Sequence, residues 1–161
     1  MLRTTDLSDA RDGAVQHCDP IFTNFGARTR FHGPIATVVC LEDNVLVEQA
    51  LSDVPAGTVV VVDGGGSQRS ALLGDRLAGI AADRGLPGVI INGCMRDTDE
   101  LAGLDVALLA LDSHPRRSAK AGRGQRDVTL AFGGVLWTPG DHVYGDDDGI
   151  ILSAQPLTAD G

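Results

Sequence analysis

The run Thr58–Val62 (TVVVV) constrains the fold more than any other stretch. A strand with one wet face alternates apolar and polar residues. An unbroken β-branched run belongs to a strand covered on both faces, the habit of parallel sheets. Pro34–Leu41 (PIATVVCL), Gly88–Asn92 (GVIIN) and Asp105–Leu111 have the same character. Between these runs the spacing turns helical. Val45, Leu46, Ala50 and Leu51 follow a capping cluster, Glu42-Asp43-Asn44, and Pro55-Ala56-Gly57 stops that helix. Leu77, Ile80 and Ala81 fall on one face of a second helix, with Arg76, Asp83 and Arg84 on the other. Gly85 and Pro87 end it. Strand, helix, strand, helix, strand implies parallel pairing with right-handed crossovers.

The flanks are less regular. Thr5-Asp6 reads as the cap of a short helix ending by Gly13. Val15–Gly33 resists assignment, with Arg28–Phe31 a candidate strand. Asp63–Ser67 (DGGGS) is a turn. Arg69–Leu73 reads either as the start of the next helix or as a short strand before a helix that opens at Gly74, and we prefer the strand. Asp97 and Thr98 cap a short helix ending near Gly103. From His114 the pattern changes. PRRSAKAGRGQR reads as a long surface loop. The segments 127–132, 135–137, 142–144 and 150–153 then read as short antiparallel strands punctuated by glycine turns. The expectation is one α/β domain over residues 1–161, with a mainly parallel βαβ core and a β-rich antiparallel C-terminal part.

Composition excludes several classes. The formal net charge of −9 argues against general affinity for nucleic acid. At 4 % aromatic residues, stacking platforms for single-stranded bases are scarce. No apolar run approaches the roughly 20 residues that span a bilayer, and the N-terminus has no signal-peptide pattern, so a cytoplasmic location is expected. Cys18, Cys40 and Cys94 are widely spaced and odd in number, which fits reduced thiols better than a disulfide framework.

Chemistry concentrates in Gly74-Asp75-Arg76-Leu77 and Arg96-Asp97. Twenty residues separate Asp75 from Arg96, giving Asp-x20-Arg-Asp. Arg96 and Asp97 follow a buried strand, where ligands of open α/β sheets bind. Gly74–Leu77 would form the first turn of a helix, whose unpaired N–H groups attract anions. Arg96 offers a planar fork of donors to a second oxygen. Asp97 is a candidate ligand for Mg²⁺ or Mn²⁺, which keep several waters and need few carboxylates. On the residues alone a second reading stays open: Arg96 pairs with Asp99 or Glu100 on a solvated face, and Asp97 is only a helix cap.

The runs ALLGDRLAGIAADRGLPGVIINGCMRDTDEL, HPRRSAKAGRGQRDV and FGGVLWTPGDHVYGDDDGIIL resemble the family named regulator of ribonuclease activity A. That family is similar to the class II 4-hydroxy-4-methyl-2-oxoglutarate aldolases, and some members were formerly labelled demethylmenaquinone methyltransferases. The resemblance covers roughly Thr4 to Ser153, and Asp-x20-Arg-Asp is its most specific piece. It implies a fold like that of swivelling phosphohistidine domains, a homotrimer with sites near subunit interfaces, and a divalent metal held by Asp97 largely through waters. It implies that Arg96 stabilises a pyruvate enolate oxygen, that the Gly74–Leu77 amides (Gly74, Asp75, Arg76, Leu77) bind the substrate carboxylate, and that Asp75 positions a water for proton transfer. The expected reactions are oxaloacetate decarboxylation and retro-aldol cleavage of 4-hydroxy-4-methyl-2-oxoglutarate. The full-length aldolases carry extra C-terminal sequence that contributes an acidic residue across an interface. This chain ends soon after Leu157, which counts against efficient aldol cleavage and leaves decarboxylation of oxaloacetate open. The alternative is a non-catalytic regulator that binds a ribonuclease.

Other motifs read as structure. VVVVDGGGS mimics a cofactor-binding glycine loop, but the third glycine of G-x-G-x-x-G falls at Arg69. Asp146-Asp147-Asp148-Gly149 hints at a calcium loop, yet Tyr144 and Gln155 occupy its first and twelfth ligand positions. The histidines show no ligand spacing, and Ser67 and Ser70 have no neighbouring base. The basic stretch Arg116–Arg126 is the one local feature that hints at a charged partner.

Overall fold

The computed structural model describes residues 2–159. In chain order the elements are α1 (Thr4–Ala10), β1 (Gln16–His17), β2 (Thr23–Asn24), β3 (Phe31–Val39), α2 (Val45–Asp53), β4 (Val59–Asp63), β5 (Ala71–Leu73) and α3 (Asp75–Asp83). They continue with β6 (Gly88–Met95), α4 (Thr98–Leu101), β7 (Ala107–Ser113), β8 (Gln125–Arg126), β9 (Leu130–Phe132), β10 (Val135–Trp137), β11 (His142–Asp146) and β12 (Gly149–Ser153). The main sheet runs β1-β12-β11-β3-β4-β6-β7-β2. Its centre, β3-β4-β6-β7, is parallel throughout, and the antiparallel strands lie at its flanks.

The four valines of β4 show why the run is unbroken. Side chains alternate across a strand. Val60 and Val62 pack with Val47, Leu51, Leu77 and Ala78 of α2 and α3. Val59 and Val61 pack with Trp137, Leu130, Val143 and Leu152 of the C-terminal strands. All four valines are fully buried, each stabilising the fold by about 1.5–3 kcal/mol. One face of the parallel core is therefore roofed by helices and the other by β-structure. Trp137 fits on the β side because its indole N–H donates to the Phe132 carbonyl at 3.1 Å.

Several local expectations change. Thr5-Asp6 do not cap α1. Arg3 takes the cap position and pairs with Asp6, and the Thr4 N–H donates at 2.8 Å to Asp146, far along the chain. β3 begins only at Phe31, so residues 28–30 are not strand. The segment after His114 is a surface loop, as expected, but a tethered one. Ser118 is buried, and the Asp43 carboxylate accepts from the N–H groups of Ala121, Gly122 and Arg123 at 2.9, 3.3 and 3.3 Å. The cluster 42–44 thus tethers that segment, and Asp43 Oδ1 also accepts the Val45 N–H at the start of α2 at 3.2 Å, while Asn44 in the cap position makes no side-chain cap.

The feature that positions the site is the length of β6. Its start pairs with β4, and its end, Cys94 and Met95, pairs with Ala71 and Leu73 of β5. The short β5 therefore stops beside the end of β6. α3 opens next to the residues that follow β6.

Candidate active site

That register closes the twenty-residue gap of Asp-x20-Arg-Asp. The Arg96 N–H donates to the Leu73 carbonyl at 2.9 Å. Gly74-Asp75 and Arg96-Asp97 become neighbours across the sheet edge. Gly74 is extended (φ −127°, ψ −162°), a conformation any residue adopts. Its requirement is steric instead: a Cβ there would collide with Asp97 Oδ2 and crowd Arg96 Cγ at 3.3 Å.

The six residues singled out from the sequence (Gly74, Asp75, Arg76, Leu77, Arg96 and Asp97) all line one cavity of about 190 Å³. That is below the roughly 300–1,000 Å³ of sites for drug-sized ligands, a scale for a small acid. The first turn of α3 is not freely open, however. The Asp75 N–H donates to Asp97 Oδ2 at 3.0 Å, and the Arg76 N–H donates to Asp75 Oδ1 at 2.8 Å. The Leu77 N–H has no protein acceptor among the described residues. Any carboxylate entering here meets one open amide and two shared with protein carboxylates.

Asp97 has left-handed backbone geometry (φ 61°, ψ 44°) and makes no side-chain cap to α4. A non-glycine residue is held there only when its surroundings require it. The side chain is turned toward α3, so the helix-cap reading fails for α4 and holds for its neighbour. Arg96 does not pair with Asp99 or Glu100. Its Nη1 lies 3.4 Å from the Pro115 carbonyl. Arg76 lines the cavity but its guanidinium forks onto Glu48 of α2, with Nη2–Oε2 at 3.2 Å. This pairing raises the Arg76 pKa and lowers that of Glu48.

Ala71 and Leu73 of β5 also line it, and so do Asn44, Arg117, Ser118 and Lys120, four polar residues that reading motifs along the sequence missed. The only signal is the basic run in an acidic chain, which by itself reads as a solvated loop or, alternatively, a partner face. Its Arg117 and Lys120 line the cavity, and its Arg126 pairs with Asp53 at 2.6 Å. Ser118 Oγ donates to the Ala71 carbonyl at 2.6 Å, and Lys120 Nζ to Asn44 Oδ1 at 3.2 Å.

A divalent ion fits this donor set in one way. No group of three His, Cys, Asp or Glu side chains converges among the described residues. Asp97 Oδ2 is engaged by Asp75, while Oδ1 carries no protein hydrogen bond among the described residues. One free carboxylate oxygen beside an open cavity suits a hard cation that keeps its waters, and does not suit a site closed by protein ligands.

The competing motifs are used up structurally. The glycine turn after β4 is closed by protein: Gly64 and Gly66 N–H donate to Asn92 O at 3.0 and 3.1 Å, and Gly65 N–H to Asp63 Oδ1 at 2.9 Å. Those amides are not available to cradle a phosphate. Ser67 Oγ donates to Glu42 at 2.8 Å, and Asp146 anchors Thr4. His32 stacks on Tyr144 with ring centroids 5.8 Å apart. Burial pushes the Cys40 thiol up to about 12 and that of Cys18 to about 11, so neither is a ready nucleophile. Among the described residues no helix is long and apolar enough to cross a membrane.

Comparison with known proteins bears on this geometry. The family model described as RraA-like, Aldolase/RraA, matches residues 4–152. A Bacillus cereus protein provisionally named 4-hydroxy-4-methyl-2-oxoglutarate aldolase is 50 % identical over 157 residues, covering 98 % of this chain and 99 % of its own. A solved Geobacillus kaustophilus structure, named as an S-adenosylmethionine:2-dimethylmenaquinone methyltransferase, superposes with a TM-score of 0.95 at 51 % identity, covering 97 % of each chain. The RNA-processing inhibitor RraA from a Thermus species superposes at 0.94 with 44 % identity, covering 98 % of this chain and 96 % of its own.

Proposed function

The chain belongs to the RraA-like family, and from that premise we propose that its cavity is the active site of a carbon–carbon lyase acting on small 2-oxo acids. The reaction we favour is decarboxylation of oxaloacetate, with retro-aldol cleavage of 4-hydroxy-4-methyl-2-oxoglutarate as the related one. The observation that carries the reading is the β5–β6 register. It gathers a guanidinium, a carboxylate with a free oxygen and a helix first turn around one small cavity.

In either reaction a bond to C3 of the 2-oxo acid breaks, and its electron pair moves onto the C2 oxygen as an enolate. From oxaloacetate the departing group is CO₂, and a proton then adds at C3 to give pyruvate. Asp97 would hold Mg²⁺ or Mn²⁺ through its free Oδ1 and bound waters. When bound, such an ion polarises the keto oxygen. Arg96 is the positive charge of the chain placed to stabilise the enolate oxygen, in a partly enclosed site where such a charge acts more strongly than in water. The Leu77 N–H, with those of Asp75 and Arg76, orients the substrate carboxylate. Asp75 donates its own amide to Asp97 and accepts the Arg76 amide on Oδ1. Its Oδ2 is left to hold the water that relays the proton. The trimer expected from resemblance belongs to this same proposal.

The test is pyruvate release from oxaloacetate with Mg²⁺, with and without chelator, alongside Asp97→Ala and after subtraction of the spontaneous metal-catalysed rate. Release that needs protein, metal and Asp97 is expected. Release indifferent to Asp97 would sink the assignment.

A second reading has its own support, the 44 % identical RNA-processing inhibitor. In it the chain binds and restrains a ribonuclease without chemistry. Arg117 and Lys120 cannot separate the two readings by substitution, because both line the cavity. Arg116, exposed and outside the lining, is the better probe of a partner face. A methyltransferase role is poorly supported, since the glycine-loop amides are already paired.

A further inference from the structure

The cavity holds more positive charge than one carboxylate needs. Among the described residues four of the twelve arginines pair with acids, Arg3–Asp6, Arg28–Asp105, Arg76–Glu48 and Arg126–Asp53, and of these Arg76 lines the cavity. Arg117 and Arg96 line the cavity and have no carboxylate within 4.0 Å among the described residues, although the chain carries 22 acidic side chains.

Arg117 is also held firmly. Its backbone bridges in parallel to Ala71, three residues before Gly74. On one side the Arg116 carbonyl accepts the Ala71 N–H at 2.8 Å. On the other the buried Ser118 hydroxyl donates back to the Ala71 carbonyl at 2.6 Å. The same segment meets Arg96 through the Pro115 carbonyl. An unpaired guanidinium whose backbone is pinned on both sides suits recognition of a fixed anion better than a solvated loop charge does.

We propose that Arg117 is a specificity residue that takes the distal carboxylate of a 2-oxo dicarboxylate, while the α3 first turn takes the carboxylate next to the keto group. This rests on the lyase reading above. It adds the residue by which the site prefers a dicarboxylic substrate to its monocarboxylic product. Arg117 makes no contact with the reacting atoms.

The test compares two stable 2-hydroxy analogues, malate with two carboxylates and lactate with one, by calorimetry in Mg²⁺. The proteins are wild type, Arg117→Gln and Arg117→Lys, each with its thermal midpoint and its pyruvate release from oxaloacetate. The wild type should prefer malate. Arg117→Gln should weaken malate binding about tenfold or more, the scale of a lost charge-assisted hydrogen bond, and leave lactate binding unchanged. Arg117→Lys should recover part of the loss. The proposal is overturned if Arg117→Gln keeps the wild-type malate-to-lactate ratio, or if the two affinities fall together. If pyruvate release persists in that case, Arg117 alone was misassigned. If the wild type binds neither acid and releases no pyruvate, the lyase reading falls with it.

Discussion

The Asp97 carboxylate accepts the Asp75 N–H at 3.0 Å, so the second acid of Asp-x20-Arg-Asp caps the helix begun by the first. One side chain thereby serves two parts of the proposed site, the helix terminus and the metal position. Asp97→Ala removes both and should cost about 0.5–2 kcal/mol of stability, the usual loss for a helix cap. Asp97→Asn keeps a neutral oxygen for the Asp75 amide. It should hold the denaturant midpoint near wild type while losing Mg²⁺ binding in a calorimetric titration. Equal Mg²⁺ affinity in Asp97→Asn and wild type would remove Asp97 from the metal position.

Gly74 is the point where this arrangement has no slack. A methyl group would fall on Asp97 Oδ2 and beside Arg96. Gly74→Ala should therefore displace Asp97, with a stability cost of about 1–3 kcal/mol from overpacking and loss of most pyruvate release. Gly79, whose Cβ would meet nothing within 4 Å on the same helix, is the control. Gly79→Ala should leave turnover intact and be neutral to stabilising, by up to about 1 kcal/mol from helix propensity.

Asp43 links acidity to the loop that completes the cavity. Burial alone would raise its pKa, but amide donors from Val45, Arg123, Ala121 and Gly122 outweigh this and leave it below the ordinary 3.8. A carboxylate with a lowered folded-state pKa contributes stability that is fully present above its unfolded value. That contribution is lost as pH falls through the folded value. Wild type should therefore lose stability below about pH 3.8 more steeply than Asp43→Asn, read from denaturant midpoints at a series of pH values. At pH 7 the variant should be less stable by roughly 1–3 kcal/mol, because loop amides lose a charged acceptor.

The thiols should be nearly inert in the folded protein. With Cys18 and Cys40 pushed up by burial to about 11 and 12, little thiolate exists at pH 8. Alkylation of either by iodoacetamide should run at least about a hundredfold slower than for an exposed thiol of ordinary pKa, and should accelerate in denaturant. Labelling of Cys18 at the exposed rate would contradict the raised pKa of its half-buried thiol.

Much of this protein was legible in the chain alone, because the legible parts depend on local physics. The unbroken valines of β4 required cover on both faces, whatever supplied it. Gly85 and Pro87 had to end α3, and the preferred short strand before Gly74 is present as β5. The six residues around Asp-x20-Arg-Asp were chosen from motif and resemblance, and they line one cavity. What sequence could not decide is what tertiary contacts decide. Whether Asp97 caps α4 or α3 depends on a left-handed backbone and on the β5–β6 register, neither of which has a local signature. Arg117 and Lys120 looked like a solvated charge run. Their place at the cavity comes from Asp43 and Ala71, more than forty residues earlier in the chain, whose backbone and carboxylate bonds hold the loop in place. Local pattern determines which elements form and which faces they bury. Long-range hydrogen bonds, which have no period, decide which charges meet.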